Sequence, residues 1–392
     1  MKNRQNDLTG RPTPENRSVS KGSARDSSFE LLRIISILAI VFCHFATHGG
    51  FDYAQETLSI PRFWLCFLEM GGNFGVNVFV LISGYFLIMS HDSTFNWRKV
   101  LKLWGQVFFY SVLIYVVFGL TKISDFSLPS LVKTLFPITF ENWWFASTYL
   151  VLYLFHPFLN RFLRKLDKQS FQKLLVLLIL LWCLIPTFTF SSFQSNDLLW
   201  FVTLYCIAGY IRLYDLNPAF HVRHYTCFWL VFSALRYLSA VVLLLTGIKA
   251  AFAAGNPYAL FYGKKSVLTL LSALSLFMVF KNIKMGTRKG INVVASATFG
   301  VYLIHDSSIV RPFLWNTVFK TETYQDSAFL ILYSIGVCLL VYAACTVIDL
   351  LRQNTIEKVY LHVVNKIAPV ILSPFAALIG FGKRIVFGKQ DD

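Results

Sequence analysis

The chain has 392 residues, of which 56% are hydrophobic and only 14% are charged, and its formal net charge is +16. A water-soluble globular protein carries about 25% charged residues, so these values exclude most soluble classes. A membrane-spanning helix needs about 20 mostly apolar residues, and the hydrophobic fraction of this chain is large enough for about ten such helices. The composition therefore predicts an all-α, polytopic membrane protein.

The first segment in chain order, residues 1–28, is polar and rich in Ser, Asn, Arg and Lys. It has no hydrophobic periodicity, which is typical of a disordered tail. The first apolar block begins only near Phe29, whereas a cleaved signal peptide places its apolar segment close behind a short basic start. We therefore expect a disordered cytoplasmic tail and no signal peptide.

Apolar blocks that could each cross a membrane follow this tail. They cover residues 29–47, 72–90, 103–121, 143–160, 171–189, 197–213, 225–247, 265–281, 291–306 and 327–349. We expect the membrane domain to cover residues 29–350. Residues 351–392 are expected to form a cytoplasmic or interfacial segment, because their apolar stretch 367–381 is short and holds two prolines.

The basic residues between these blocks are distributed unevenly. One set of alternating loops, counted with the adjoining block ends and both chain ends, holds 26 of the 36 Lys and Arg residues, whereas the opposite set, counted in the same way, holds 8. The remaining two, Arg33 and Arg236, lie farther inside blocks. Because loops that stay in the cytoplasm are enriched in Lys and Arg, the pattern predicts an even number of spans with both termini cytoplasmic. It also explains the positive charge without a nucleic-acid partner.

The seven cysteines are scattered along the chain and odd in number. This distribution argues against a disulfide framework and against a zinc cluster, whose ligands come in closely spaced pairs. We therefore expect no bound metal.

The first block supplies two candidates for function, Arg33 and His44, because ionisable side chains are costly inside a membrane. Arg33 and His44 are 11 residues apart, which corresponds to about three helical turns plus roughly 20°. They therefore share one helix face, about 16 Å apart along the axis. We expect Arg33 near the cytoplasmic surface and His44 past the bilayer midplane, with Glu30 and His48 on the same face.

Each residue of this pair also has a simpler interpretation. Arg33 could extend to the lipid headgroups, and His44 could form an ordinary interhelical hydrogen bond. Placed on one face, however, the two residues favour chemistry. A neutral histidine can accept a proton as a general base, and a guanidinium group binds phosphate with two parallel hydrogen bonds. The pair thus predicts a reaction that takes an anionic donor from the cytoplasm.

The sequence around these residues resembles the acyltransferase-3 family of integral membrane acyltransferases. Arg33 and His44 match its first-helix motif, in which a basic residue and a histidine are separated by ten residues. Further matches are the second-helix residues Phe79, Ser83 and Gly84, the fourth-helix residues Trp143, Trp144, Phe145, Tyr153 and Pro157, and the late stretch Thr298 to His305. The resemblance covers about residues 28–350, nearly the whole chain.

This resemblance implies transfer of an acyl group, often acetyl from acetyl-coenzyme A, to a hydroxyl of a bacterial surface polysaccharide or its lipid-linked precursor. Acetyl-coenzyme A would be a substrate, and no bound cofactor is expected. The implied catalytic residues are Arg33 and His44, and the implied donor-binding cluster is Arg98, Lys99 and Lys102. The family often has an Arg-x-x-Arg pair at that cluster, where this chain has Lys99 and Lys102. The two lysines keep the positive charge but lose the bidentate geometry of a guanidinium group.

The resemblance also implies the setting in which the protein works. The expected location is the bacterial plasma membrane. The expected partners are the acyl donor, the glycan acceptor, the lipid bilayer and polysaccharide-assembly machinery.

Other residues are weaker candidates for acceptor binding or for support of the site. His305 and Asp306 lie at the outer end of the ninth block, where an imidazole could meet an acceptor. Arg236 lies near the middle of the seventh block, and ligand binding and structural pairing are both open for it. The remaining candidates lie beside the fourth block and are Glu141, Trp143 and Trp144. They could form a sugar-stacking platform. Aromatic residues are common at membrane interfaces, however, and an ordinary interfacial position is the favoured interpretation.

A transporter or flippase for a polysaccharide precursor is the alternative function, since several spans with a buried charged stripe also fit a permeation path. The repeats common in transporters are not visible in the sequence, and the arginine-histidine pair suits an acyl donor better. A scaffold subunit of a polysaccharide-assembly complex is a third candidate. The sequence leaves open whether His44 acts as a general base or carries the acyl group itself.

Overall fold

The computed structural model describes residues 26–53, 58–90, 97–216, 218–249, 256–363 and 366. Most of the predicted tail and the apolar stretch 367–381 lie outside these residues. Within the described ranges the chain forms helices, turns and loops with no strand, which confirms the all-α prediction.

In chain order the α-helices are α1 (Ser28–His48), α2 (Ile60–Glu69), α3 (Gly71–Leu87), α4 (Trp97–Leu120), α5 (Leu128–Leu135), α6 (Trp144–Leu163), α7 (Lys168–Ile179), α8 (Ile185–Thr189), α9 (Asp197–Tyr214), α10 (Val222–Thr246), α11 (Val267–Asn282), α12 (Lys289–Ser296), α13 (Thr298–His305), α14 (Val310–Pro312) and α15 (Leu330–Asn354). The shorter elements are two π-helical segments, Leu180–Leu184 and Phe313–Val318, and one 3₁₀ turn, Thr321–Tyr324.

By length and composition, seven helical segments of the described chain could cross a membrane. They are Ser28–His48, Ile60–Leu87, Trp97–Leu120, Lys168–Thr189, Asp197–Tyr214, Val222–Thr246 and Leu330–Asn354. An eighth arises if Lys289–His305 and Val310–Val318, which are bent by 89° relative to each other, count as one span. The helices α6 and α11 lie in the fourth and eighth predicted blocks and do not add to this count. The chain is a multi-pass membrane protein, and the number of about ten spans remains a prediction.

The second span begins earlier than its apolar block suggests, at Ile60 instead of residue 72. Two charged side chains in α2 interrupt the apolar pattern, and each has a hydrogen-bonding partner in the structure. Arg62 Nη2 donates to the Tyr53 carbonyl oxygen at 2.6 Å, and Glu69 Oε2 accepts from Asn256 Nδ2 at 2.6 Å. Because these bonds reduce the cost of burying charge, α2 extends the apolar segment through residues that its sequence marks as a loop.

The helix α1 lies at the centre of the bundle, in contact with α2, α3, α11, α12, α13 and α15. It packs closely on α3 because glycines of α3 face its backbone. A Cβ on Gly71 would lie 2.6 Å from the Ala39 carbonyl oxygen, and one on Gly75 would lie 2.5 Å from that of Ser36. Small residues at such interfaces let two helix backbones approach each other. This packing fixes the position of the face that carries His44.

The start of α1 is attached to the segment that leads into α12. Asp26 Oδ1 accepts the backbone N–H of Ser28 at 2.9 Å, and this hydrogen bond holds the pKa of Asp26 below its usual value. Ser27 Oγ lies 2.8 Å from Asn292 Oδ1 and accepts the Arg288 backbone N–H at 2.8 Å. Arg33 is therefore held in register with α12, between one and two helical turns after these contacts.

The chain turns sharply after α13, where the 89° bend falls at residues 306–309. Such breaks are tolerated at membrane depth where the freed backbone groups lie inside the protein or line a cavity. Here Arg311 Nε donates to the Asp306 carbonyl oxygen at 3.1 Å. The bend turns the carboxylate of Asp306 toward α1.

Candidate active site

Two histidines that are distant in sequence form a hydrogen-bonded pair. Nδ1 of His44 on α1 lies 3.0 Å from Nε2 of His305 on α13. The other ring nitrogen of His305, Nδ1, lies 2.5 Å from the carbonyl oxygen of Val301, one turn earlier in α13. His305 is fully buried, whereas His44 remains partly exposed. The structure thus brings together the first-helix histidine and the last residue of the Thr298 to His305 stretch.

Three further side chains surround this pair. Asp306 Oδ1 lies 3.4 Å from His44 Nδ1 and 3.1 Å from Arg311 Nε. Arg311 Nη1 lies 3.5 Å from Nε2 of His48, which is one turn after His44 on α1. We call His44, His48, His305, Asp306 and Arg311 the histidine cluster. Its buried carboxylate is compensated by a guanidinium and lies where it can stabilise a positive charge on His44.

The histidine cluster also meets the distance requirement of a metal site. Ligand atoms of His44, His48 and Asp306 lie within 4.8 Å of one another. However, the permanent cation of Arg311 contacts two of these three residues and would repel a metal ion. The ring nitrogen of His44 that lies 3.4 Å from Asp306, Nδ1, is also already hydrogen-bonded to His305. The arrangement therefore favours proton transfer over metal binding.

A cavity of about 190 Å³ borders His44. We call it the histidine cavity. Its polar lining residues include His44, Thr47, His48, Asn73 and Asp306, and its apolar ones include Ile37, Ile40 and Val76. A small apolar chamber with a few convergent polar groups is typical of a binding site for a small molecule or for one end of a larger one.

A second cavity, of about 340 Å³, lies toward the start of α1. It is lined by Arg33, Lys99 and Lys102, so we call it the cationic cavity. Arg33 Nη1 lies 3.0 Å from both carboxylate oxygens of Glu30, and Lys102 Nζ lies 2.5 Å from Glu357 Oε1. Arg98, the other member of the predicted donor-binding cluster, is exposed and lines neither cavity.

The two cavities meet at three aromatic side chains. Phe79, Phe145 and Phe299 line both of them, and we call these residues the phenylalanine wall. The rings of Phe79 and Phe145 pack edge to face with centroids 6.1 Å apart. Phe145 and Phe299 both pack on Tyr302, with centroid distances of 5.7 and 6.1 Å. This aromatic layer lies between the cations of one cavity and the histidine of the other.

The candidate sugar platform beside α6 is dispersed in the structure. Trp143 is buried, and its Nε1 donates to the Leu303 carbonyl oxygen at 3.1 Å, which attaches it to α13. Trp144 lines the histidine cavity, and Lys264 Nζ lies 4.0 Å from its ring centroid. Glu141 is exposed and lines neither cavity. Of the three residues, Trp144 alone borders the histidine cavity.

Arg236 lies inside the protein and lines neither cavity. Its side chain is 1% exposed, and it donates to the Met70 carbonyl oxygen at 2.7 Å and to Ser272 Oγ at 3.3 Å. The guanidinium also lies 5.5 Å from the ring centroid of Tyr262, a cation–π contact. Of the two roles open to Arg236, this setting favours the structural one.

A buried polar network between α4 and α15 was not expected from the sequence. We call it the Asp349 network: Asp349, which is fully buried, accepts hydrogen bonds from Gln106, Tyr110, Arg352 and Gln353 at 2.7 to 3.1 Å. Arg352 Nη1 also donates to Glu357 Oε2 at 2.7 Å. The tenth block was expected to end at residue 349, whereas α15 continues to Asn354 and buries Arg352. In the sequence, the i,i+3 spacing of Asp349 and Arg352, which suits a helical ion pair, was the feature that could have predicted this contact.

Arg311 belongs to the histidine cluster but was not among the residues expected there from the sequence. It was counted among the basic residues of a loop, because it follows the ninth block. Its contact with Asp306 depends on the bend after α13, and a bend of this kind leaves no periodic signal in the sequence.

Comparison with protein families assigns the chain to a known group. A family model described as an acyltransferase domain, that of the acyltransferase-3 family, matches residues 26–350. Comparisons with curated proteins and with solved structures give no match. The matched range contains every lining residue of both cavities and the whole histidine cluster. Arg352, Gln353 and Glu357 of the Asp349 network lie beyond it.

Proposed function

The chain belongs to the acyltransferase-3 family and is a membrane acyltransferase, and we propose that it transfers acetyl from acetyl-coenzyme A to a hydroxyl of a cell-surface polysaccharide or its lipid-linked precursor. The observation that carries this proposal is the pair of cavities that share the phenylalanine wall. One cavity offers cations suited to phosphates. The other offers a histidine suited to proton transfer.

Donor binding is assigned to the cationic cavity. Guanidinium and ammonium groups bind phosphate oxygens through charge-assisted hydrogen bonds, and Arg33, Lys99 and Lys102 line this cavity together. Coenzyme A carries its phosphates and its thioester at opposite ends of a long, thin arm. Phosphates at Arg33 would leave that arm to pass the phenylalanine wall and present the thioester to His44, about 16 Å further along α1.

The chemical step is assigned to the histidine cavity. His44 takes the proton from the acceptor hydroxyl, the hydroxyl oxygen attacks the thioester carbonyl, and the C–S bond breaks. The departing thiolate then takes the proton from the imidazolium, so the products are an ester and free coenzyme A. The apolar walls limit the access of water, which would otherwise hydrolyse the thioester.

A covalent route uses the same residues. His44 attacks the thioester first, coenzyme A leaves, and the acyl-histidine is then attacked by the hydroxyl. Incubation with labelled acetyl-coenzyme A and no acceptor separates the two routes. Label that stays on the protein and is absent from His44→Ala supports the covalent route, and unlabelled protein supports direct transfer.

The orientation that we propose places the cationic cavity at the cytoplasmic face of the bacterial plasma membrane, with both termini cytoplasmic. The charge asymmetry of the loops supports this orientation. So does the meeting of Arg33 with two lysines in the first turns of α4, a helix start that the same asymmetry assigns to the cytoplasm. Polysaccharide-assembly machinery on that membrane would supply or receive the acceptor.

The experiment that tests the proposed function compares surface glycans from cells with and without the protein. Loss of one ester-linked acetyl group, restored by the wild-type chain and not by His44→Ala, is the expected result. Purified protein in liposomes provides the second arm. Passage of a glycan precursor across the membrane with no transfer of labelled acetyl would contradict the proposal and support a flippase.

A further inference from the structure

The protonation of His305 is set by the backbone of its own helix. Its Nδ1 lies 2.5 Å from the Val301 carbonyl oxygen, and a carbonyl oxygen can only accept, so Nδ1 carries a proton. The ring is fully buried, and a second proton would place a charge away from water at considerable cost. His305 is therefore neutral, and its Nε2 has a lone pair.

This lone pair determines the protonation of His44. Nε2 of His305 lies 3.0 Å from Nδ1 of His44, and because the former can only accept, the latter must donate. A neutral imidazole carries one N–H group, so Nε2 of His44 is left with a free lone pair. The histidine cavity, which His44 lines, is where that lone pair is needed.

We infer that His305 is a positioning residue, which holds His44 in the tautomer whose Nε2 can accept the proton of the acceptor hydroxyl. This inference rests on the proposed function, because it gives the direction in which His44 must present its base. A backbone carbonyl fixes His305, and His305 fixes His44. The His305 acceptor, at 3.0 Å, is also nearer to His44 Nδ1 than Asp306 Oδ1, at 3.4 Å.

The charged residues of the cluster then have a separate role. When His44 accepts a proton its ring becomes positive, while its Nδ1–H remains hydrogen-bonded to His305. The carboxylate of Asp306 compensates that charge, and Arg311 holds the carboxylate in place at 3.1 Å. The ionisable groups that contact or face His44 are His48 on its own helix, His305 on α13, and Asp306 and Arg311 after it.

Three variants test the inference. His305→Leu removes the acceptor and keeps an apolar side chain, whereas His305→Gln keeps an oxygen that can reach the same place. His156→Gln is the matched control, because His156 is another buried histidine that contacts a carbonyl oxygen of its own helix, that of Tyr153, and it lines neither cavity.

The kinetic readout is acetyl transfer by the full chain in nanodiscs, with acetyl-coenzyme A and isolated surface glycan as substrates. We expect His305→Leu to lower kcat by about 10²-fold or more, the contribution of a general base, with KM for acetyl-coenzyme A nearly unchanged. His305→Gln should recover a large part of that loss, and His156→Gln should keep the wild-type kcat. Wild-type kcat in His305→Leu, or equal losses in both His305 variants and His156→Gln, would overturn the inference.

Nitrogen NMR of histidine-labelled protein provides a direct readout of the tautomer. The signals of His44 are assigned by their loss in His44→Ala. The expected wild-type spectrum has the proton of His44 on Nδ1, and in His305→Leu this proton should no longer be confined to Nδ1. A wild-type His44 with its proton on Nε2 would disprove the inference even if His305→Leu does not fold.

The proposed function and the role of His305 fail in different ways. Full activity of His44→Ala, or no acetyl transfer by the wild type, contradicts the proposed function. An inactive His44→Ala combined with a fully active His305→Leu leaves the proposed function intact and removes the role of His305.

Discussion

The histidine cluster and the Asp349 network are both buried, charged and built on helices of the membrane domain, yet they differ in what their hydrogen bonds leave unused. Both carboxylate oxygens of Asp349 accept hydrogen bonds, and its partner Arg352 is shared with Glu357. In the histidine cluster, His44 uses one ring nitrogen and lines a cavity. Burial and charge alone therefore do not identify a reactive site. What sets the histidine cluster apart is an unused acceptor beside open space.

The strongest test of this comparison is His44→Ala, which removes the unused acceptor. We expect acetyl transfer to fall by about 10³-fold or more, the upper part of the range for a general base. The amount of protein in the membrane should stay near the wild-type level, because the close approach of α1 and α3 depends on the glycines of α3. Transfer to surface glycan, normalised to membrane abundance on a blot, is the measurement. Undiminished transfer would remove the distinction between the two regions.

The matching change in the other region is Asp349→Leu, which leaves the buried Arg352 without its main counter-charge. Breaking one side of a buried ion pair destabilises a protein by about 3 kcal/mol or more. We expect a clear fall in the thermal unfolding temperature of the detergent-solubilised protein. Asp215→Asn is the control, since Asp215 is an exposed carboxylate paired with Lys281, and surface pairs contribute about 0–1 kcal/mol. Equal unfolding temperatures for the two variants would contradict a structural role of the network.

A smaller effect is expected in the cationic cavity, where Arg33→Gln removes a guanidinium proposed to bind the donor. A hydrogen bond to a charged group contributes about 1.5 kcal/mol or more, which corresponds to about tenfold in KM for acetyl-coenzyme A. The value of kcat should change little, because the thioester still reaches His44. Lys168→Gln, an exposed cation that lines neither cavity, serves as the control in the same assay. A loss of kcat with unchanged KM would assign Arg33 to the chemical step.

The smallest effect is expected for Trp143→Phe. This change keeps an aromatic ring and removes the hydrogen bond to the Leu303 carbonyl oxygen, at a cost of about 1 kcal/mol in the free energy of unfolding. The unfolding temperature should fall slightly, and KM for the glycan acceptor should not change. An increase in that KM would show that Trp143 contacts the acceptor.

The sequence was informative where function depends on local spacing. Arg33 and His44 were expected on one face of the first helix, and the structure places them in two adjoining cavities on α1. It was uninformative where partners meet through tertiary geometry. The contact of His44 with His305 requires α13 to pack on α1, and the contact of Arg311 with Asp306 requires the 89° bend. The exposed position of Glu141 also depends on the loop, which no periodic pattern describes.

The sequence also located the centres of the helices better than their ends. The apolar blocks locate the centres of the helices, because burial in lipid or protein requires apolar residues there. The blocks are misleading at α2 and α15, where charged residues lie within the helices because each has a hydrogen-bonding partner. Because they are charged, Arg62 and Arg352 were both assigned to segments outside the spans, whereas in the structure both lie in helices and donate hydrogen bonds.

The phenylalanine wall has a consequence for the membrane as well as for the reaction. The two cavities hold ionisable side chains near opposite ends of α1 and would form a leak for protons and ions if they were joined by water. A membrane that stores energy as a voltage cannot tolerate such a conductance. The three phenylalanine rings that line both cavities lie between them, and apolar rings exclude the water that such a leak needs. If the acyl arm is the object that parts these rings, it also fills the gap that it opens, so the membrane stays sealed throughout turnover.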